Sequence, residues 1–316
     1  MKKKLSLWKK ISITVLILIL VGILGIASYA FHLSNKVNRV EIDRKAITDT
    51  GKEISKKAEE VTTILLSGTD YSGDEYAASD STMILAIDKK NNKINLCSLM
   101  RDIYLDLPDG GKSNLNYTMS SGGPELLLKT VNYNFNLNID KFVEVNLKQL
   151  PTVIDKLGGV EINITDDELN YINKYIQNID KNNGTSTPPV TSTGKQLLNG
   201  TQASAYCRIR YTEGRDFKRT ERQRDVLTAL FNKVKDTPHS EIPGIVSELL
   251  PLVSTNLSNS EILSIASEVV GMNITNINQG RFPLDEDLTT EWTDMYHMII
   301  DVDKTTKNIH KFLFDE

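Results

Sequence analysis

A chain of 316 residues, 40% hydrophobic and 25% charged, has the composition of ordinary globular protein and is long enough for one large domain or two small ones. Its formal net charge of −4 argues against bulk nucleic-acid binding, because the basic residues form one cluster and not a broad field. The two cysteines, Cys97 and Cys207, fall in predicted strands at positions that suit a small apolar residue. They read as buried free thiols, with a single disulfide between them the alternative.

Taken from the start, residues 1–10 carry Lys2, Lys3, Lys4, Lys9 and Lys10, and residues 11–30 are apolar apart from Ser12, Thr14, Ser28 and Tyr29. A run of about 20 such residues matches a transmembrane helix. Lysine before it and none within it predicts a cytoplasmic N-terminus, with all that follows outside. The rival is a cleaved signal peptide, for which the run is too long and Ser28-Tyr29-Ala30 a poor cleavage site. Residues 31–60 turn polar, with Val37, Val40, Ile47 and Ile54 sparsely placed, and read as a partly helical juxtamembrane stalk. The folded domain is expected over 61–316.

That domain opens with an apolar strand, Thr63 to Leu66, followed by Ser67-Gly68-Thr69-Asp70. A carboxylate just past a buried strand sits where open α/β sheets hold ligands. Asp80 precedes a second strand to Asp88, and Lys89-Lys90-Asn91-Asn92 turns into its partner, Lys93 to Leu99, which ends in Met100-Arg101-Asp102. Pro124 suits the first position of a helix running to about Asn134. A strand at 142–147, a short helix at 149–157 and a strand at 158–162 follow. Residues 178–194 read as a Ser/Thr/Asn/Pro/Gly loop, and 201–205 as a short helix. Helices at 241–252 and 260–270, a strand at 277–282 and a helix at 304–314 look like covering layers. Interleaved strands and helices predict one α/β domain, a mixed central β-sheet with helices on both sides.

The most informative stretch is 206–224. Of the ten arginines in the chain, six lie there: Arg208, Arg210, Arg215, Arg219, Arg222 and Arg224. A period of two places Arg208 and Arg210 on one face of a predicted strand. Asp216 is a candidate helix N-cap, with Arg219, Arg222 and Gln223 on one stripe that continues through Val226 and Leu230. Cations in the first turns of a helix oppose its dipole, so a bound anion is expected, with phosphate or pyrophosphate suited to planar guanidinium forks. Salt bridges to local Asp and Glu, or a solvated basic face, are the alternatives. The lack of HExxH, CxxC or clustered His argues against zinc chemistry, and Walker A and GxSxG motifs are absent. Asp70 and Asp80 match the one or two protein carboxylates that Mg²⁺ takes beside phosphate oxygens.

Residues 62–236 resemble the LytR-CpsA-Psr family, in order through Ile64 to Asp70, Ser79 to Met83, Arg101-Asp102, Lys112 with Asn114, Gly122 to Glu125, Leu157 to Glu161, Gly194 to Gly200 with Ala203, Tyr206-x-Arg208-x-Arg210, and Asp216-Phe217-x-Arg219-x-x-Arg222-Gln223. The resemblance implies a membrane-anchored phosphotransferase that moves a glycopolymer, such as teichoic acid or capsule, from an undecaprenyl pyrophosphate carrier to peptidoglycan. Carried over, Asp70 and Asp80 would hold Mg²⁺. Arg101, Arg208, Arg210 and Arg219 would grip the pyrophosphate, with Arg222 counted in the same cluster and Gln223 fixing the arginine geometry. Arg101 and Asp80 would be catalytic; the residues leave open whether any side chain serves as general base, with Asp80 and Asp102 the candidates. An apolar cavity between sheet and helices would take the polyprenyl tail. The sequence departs from the family pattern at Ala78, where Arg is common, at Met100, where Pro is common, and at Asn146, where Asp is frequent; the loss at Ala78 weakens the expected phosphate grip. A regulatory protein that binds lipid-linked precursor, or a pyrophosphatase using water as acceptor, is the rival function.

Overall fold

The computed structural model describes residues 37–51, 54–70, 76–235, 237–238, 241–272, 274, 276–293 and 295–316. The apolar run 11–30 lies outside the described residues, and among those described no helix is long and apolar enough to cross a membrane.

In chain order the elements are β1 (Asn38–Arg39), α1 (Arg44–Thr48), α2 (Lys56–Glu60), β2 (Thr62–Thr69), β3 (Ser79–Asp88), β4 (Lys93–Leu99), β5 (Tyr104–Asp106), β6 (Lys112–Asn114), α3 (Leu115–Phe135), β7 (Lys141–Asn146), α4 (Leu150–Lys156) and β8 (Val160–Ile164). There follow α5 (Asp166–Asn183), β9 (Gly194–Leu198), α6 (Gly200–Arg208), α7 (Arg215–Lys235), α8 (Ile242–Leu249), β10 (Val253–Thr255), α9 (Asn259–Gly271), β11 (Ile277–Phe282), β12 (Leu288–Trp292), β13 (Tyr296–Ile300) and α10 (Val302–Phe314). Seven strands form one mixed sheet in the order β1-β10-β7-β2-β3-β4-β11. The chain β2-β3-β4 is an antiparallel meander, while β7 runs parallel to β2 and β11 parallel to β4.

The central strands are apolar on both faces because both are covered. Leu65, Ile84, Ala86 and Cys97 pack against Leu127, Leu128 and Val131 of α3 and Ile309 and Leu313 of α10. On the opposite face Ile64, Leu66, Leu85 and Ile94 meet Phe231 of α7 and Ile265 and Val269 of α9. This is the expected mixed sheet between helical layers. Cys97 and Cys207 are free and buried, and burial pushes each thiol up to about 12.

Several local expectations are corrected. The described part of 31–60 is no stalk: β1 pairs with β10, Ile47 and Ala58 enter the core, and Arg44 grips both carboxylate oxygens of Glu261. A few well-spaced apolar residues suffice to dock the segment, since Asn132 Nδ2 also donates to the Ile47 carbonyl at 2.8 Å. Residues 178–194 are not a single loop, because α5 runs to Asn183 and the following segment is tied back by reciprocal hydrogen bonds of 2.8 Å between Asn173 and the Val190 backbone. The start of α5 carries a full capping box, Thr165 with Glu168. The helix α3 begins earlier than expected and breaks at Gly122-Gly123, where Gly123 (φ 63°, ψ −162°) takes a conformation open to glycine alone; Pro124 starts the second half.

Gly200 is required for a different reason. A Cβ there would lie 1.9 Å from the Pro151 carbonyl oxygen, so α6 touches α4 backbone to backbone. Gly200→Ala is expected to cost about 1–3 kcal/mol of stability, the range for overpacking a tight site. Urea unfolding of the variant measures it, and an unchanged midpoint would mean the contact gives way freely.

Candidate active site

The site forms where β2 and β3 come apart. Gly68 pairs with Ser81 and Thr69 with Ser79, which leaves Asp80 as an extra residue in a β-bulge. A bulge re-aims the side chain it carries. The bulge is pinned by Ser79 Oγ, which lies 2.9 Å from Ser67 Oγ and 3.0 Å from Thr82 Oγ1. So held, Asp80 Oδ1 accepts from Arg101 Nη1 at 2.7 Å. Arg101 follows β4 directly after Met100, which is buried. Asp70 is exposed, one residue past the end of β2.

The arginines arrive differently from the predicted strand. Residues 206–208 complete α6, a helix opened by the Asn199/Gln202 capping box, so Arg208 is its last residue; Ile209 is buried and extended, and Arg210 lies in the connection to α7. Asp216 is not the N-cap but sits in the first turn of α7, where the helix dipole favours a carboxylate. It is the hub of the site. Asp216 Oδ2 lies 3.5 Å from Arg101 Nη2 and 3.7 Å from Arg219 Nη2, and its Oδ1 lies 3.7 Å from Arg210 Nε. These separations exceed hydrogen-bond length, so three guanidinium groups surround one carboxylate loosely, in contrast to the close Arg101–Asp80 pair.

Arg219 is the least satisfied of them. It is 2% exposed, yet its Nε and Nη2 have no hydrogen-bond partner. Burial is the main cause that lowers its guanidinium to about 10; Asp216 opposes this, and Arg101 and Arg210 add to it. Asp102 is raised, first by burial, against the opposing pull of Arg101. Its carboxylate lies 3.5 Å from Arg101 Nε.

Arg222 does not join the cluster. Its Nε donates to Glu168 at 2.8 Å, its Nη1 to the Ile209 carbonyl at 3.0 Å and its Nη2 to Thr212 Oγ1 at 2.6 Å. It is a buried cross-link between α7, α5 and the arginine-bearing segment. Three residues along a helix from Arg219, it points about 60° away from it, whereas Gln223, four along, stays nearer the same face.

Gln223 and Arg208 instead line a cavity of about 210 Å³ between sheet and helices, walled by Met83, Val143, Leu147 and Val226. The Gln223 Oε1 is buried without a partner. The cavity also reaches Gly68 and Ser81, the residues flanking the bulge, so it opens beside Asp80. A larger cavity of about 1030 Å³ runs along the other flank of α7, but Asp80, Arg101, Arg210 and Arg219 do not line it.

For a divalent cation, the described residues hold no group of three His, Cys, Asp or Glu arranged to bind one. Mg²⁺ needs less than that. The β2/β3 register sets Asp70 and the bulged Asp80 at one end of the sheet with oxygen donors only, which fits an ion that takes one or two carboxylates and completes its shell with water and phosphate.

A model of the LytR_cpsA_psr family matches residues 28–311. The chain is 29% identical over 275 residues to the polyisoprenyl-teichoic acid–peptidoglycan teichoic acid transferase TagU of Bacillus mycoides, covering 84% of this chain and 83% of that protein. It is 33% identical over 202 residues to the regulatory protein MsrR of Staphylococcus aureus, covering 63% of this chain and 57% of that one. Among solved structures, the LytR-CPS2A-psr family protein YwtF (TagT) with bound octaprenyl pyrophosphate lipid shares the fold, with a TM-score of 0.62 and 21% identity over 87% of this chain and 99% of that one.

Proposed function

The chain belongs to the LytR_cpsA_psr family, and from that premise we propose that it transfers a glycopolymer from a polyprenyl pyrophosphate carrier to a peptidoglycan hydroxyl. The observation that carries this reading is the buried Arg219 with two unpartnered guanidinium nitrogens, set among Arg101, Arg210 and Asp216 beside an apolar cavity. Unmade hydrogen bonds on a buried cation call for an anion. A ligand whose head is anionic and whose tail is apolar uses both halves of the site. The name of TagU, a teichoic acid transferase, and the lipid held by TagT support the same class of substrate.

In this reaction the acceptor oxygen attacks the phosphorus that bears the glycan, and the bridging P–O bond to the lipid phosphate breaks. The glycan then carries a phosphodiester to peptidoglycan, and polyprenyl phosphate leaves. Arg101, Arg210 and Arg219 hold the charge that builds on the phosphoryl oxygens, at fixed positions in a partly dehydrated site. Arg208 and Gln223 face the head of the lipid from the cavity. Asp102, whose affinity for protons burial raises, accepts the proton of the attacking hydroxyl; Asp80 orients Arg101. Asp70 and Asp80 would hold Mg²⁺, which neutralises pyrophosphate charge when bound. Residues 11–30 anchor the chain in the cell membrane with the domain outside.

Incubating the full chain with a lipid-pyrophosphate glycan and peptidoglycan tests this. Glycan phosphate attached to peptidoglycan, with release of polyprenyl phosphate, is the expected product. Turnover falls on chelation with EDTA and returns with Mg²⁺; equal rates in EDTA would remove the metal. The likeness to MsrR, a protein named as regulatory, supports a second reading, retention of the lipid without turnover. Binding with no product would favour that reading, and glycan phosphate released to water would favour a pyrophosphatase.

A further inference from the structure

The segment that carries the arginines has a direction. Arg208 lines the apolar cavity, Ile209 is fully buried, Arg210 lies beside Asp216 with its side chain 45% exposed, and Tyr211, the next residue, is 68% exposed. Along four residues the chain therefore passes from tail cavity to anion cluster to open surface.

Tyr211 does not stand alone at that surface. Its ring centroid lies 6.0 Å from that of Tyr171 and 6.5 Å from that of Tyr175, both on α5 and tilted by 37° and 33° to it. Lys174 Nζ lies 6.0 Å from the Tyr211 ring. Tyr175 Oη accepts from the Arg210 backbone N–H at 3.3 Å, which ties the aromatic group to the arginine. Scattered exposed aromatics are ordinary. Three rings braced on a capped helix and bonded to a residue of the anion cluster are a built surface, and a broad aromatic face flanked by hydrogen-bonding groups suits a pyranose ring.

We infer that Tyr211, braced by Tyr171 and Tyr175 beside Arg210, is the stacking platform for the first sugar of the lipid-linked glycan. This rests on the function proposed above. With the tail in the cavity and the pyrophosphate on Arg101, Arg210 and Arg219, the glycan leaves the site on the side where Tyr211 stands. Tyr211 is then a positioning residue: it holds the sugar, and through it the phosphorus to be attacked.

The test titrates the full chain with octaprenyl pyrophosphate and with the same lipid bearing one N-acetylglucosamine. Tyr211→Ala is expected to weaken binding of the sugar-bearing lipid roughly tenfold, the order set by an aromatic stacking contact, and to leave the bare lipid unchanged. Tyr211→Trp keeps a stacking face and is expected to bind both lipids within about twofold of the parent chain. Equal losses on both lipids would assign Tyr211 to the lipid or the membrane surface and overturn the platform; so would no loss on either. If the parent chain binds neither lipid, the function proposed above fails and the platform with it.

Discussion

Arg219→Ala lowers the transfer rate by about 10²–10³-fold, the range for removing one donor aimed at developing charge, while leaving thermal stability unchanged or raised. The two halves of this expectation come from the same fact. Arg219 is buried with Nε and Nη2 unpartnered and is pressed by Arg101 and Arg210, so in the free protein it bears a desolvation cost that few local contacts offset. Removing it relieves the fold and, under the proposed function, deprives the phosphoryl group of a buried donor. Arg219→Lys keeps the charge but loses the fork, and is expected to recover little. Parallel transfer assays and calorimetric scans check this. A variant that keeps full activity returns the arginines to a purely structural role.

Arg222→Ala behaves in the opposite sense, with a stability loss of about 3–5 kcal/mol, the cost of leaving one member of a buried ion pair uncompensated. Arg222 and Glu168 are both buried, and the arginine also holds the Ile209 carbonyl and Thr212. Glu168 has a second task, accepting from the Thr165 N–H at 3.0 Å in the capping box of α5. Replacing both partners with apolar residues of similar size is therefore expected to cost less than the sum of the single changes, though the lost cap remains. Chemical denaturation of the two single variants and the double variant gives the coupling. Additive losses would show that the pair is not the source of the stability.

The contrast between Arg219 and Arg222 marks how far the sequence could be read. Residues three apart are neighbours on a helix, so the sequence groups Arg219 and Arg222 in one anion site; the residue that pairs with Arg222, Glu168, is 54 positions away. The strand β4 is legible because the Lys89-Lys90-Asn91-Asn92 turn sets off an apolar run, and it spans the expected Lys93–Leu99; β11 spans the expected 277–282. Cys207 to Tyr211 alternates, which predicts a strand. The capping box at Asn199 and Gln202 instead starts a helix that runs through Arg208, and helix propagation overrides a short period-two pattern. The Thr165/Glu168 box is the local signal that starts α5, the helix that carries Tyr171 and Tyr175. The antiparallel pair β12 and β13 is a further element that the sequence reading does not contain. Position alone makes Asp216 a cap candidate, since nothing local says that Arg101 and Arg210 meet there. Asp70, Asp80 and Arg101 lie at one end of the sheet, and Arg208 and Gln223 line the adjoining cavity; strand ends and the loops that follow them can be located from sequence even when their mutual distances cannot.

Both flanks of the large sheet are completed late in the chain. Strand β10 covers β7 and receives β1, and β11 covers β4. Until Val253–Thr255 and Ile277–Phe282 have been synthesised, the meander and β7 present open hydrogen-bonding edges, and the N-terminal segment has no strand to dock on. Such long-range pairing slows folding, and unpaired edges invite association with other chains. The nascent polypeptide thus keeps these edges open from the completion of β7 until β10 and β11 emerge, which gives any holding factor that masks strand edges a window in which to act.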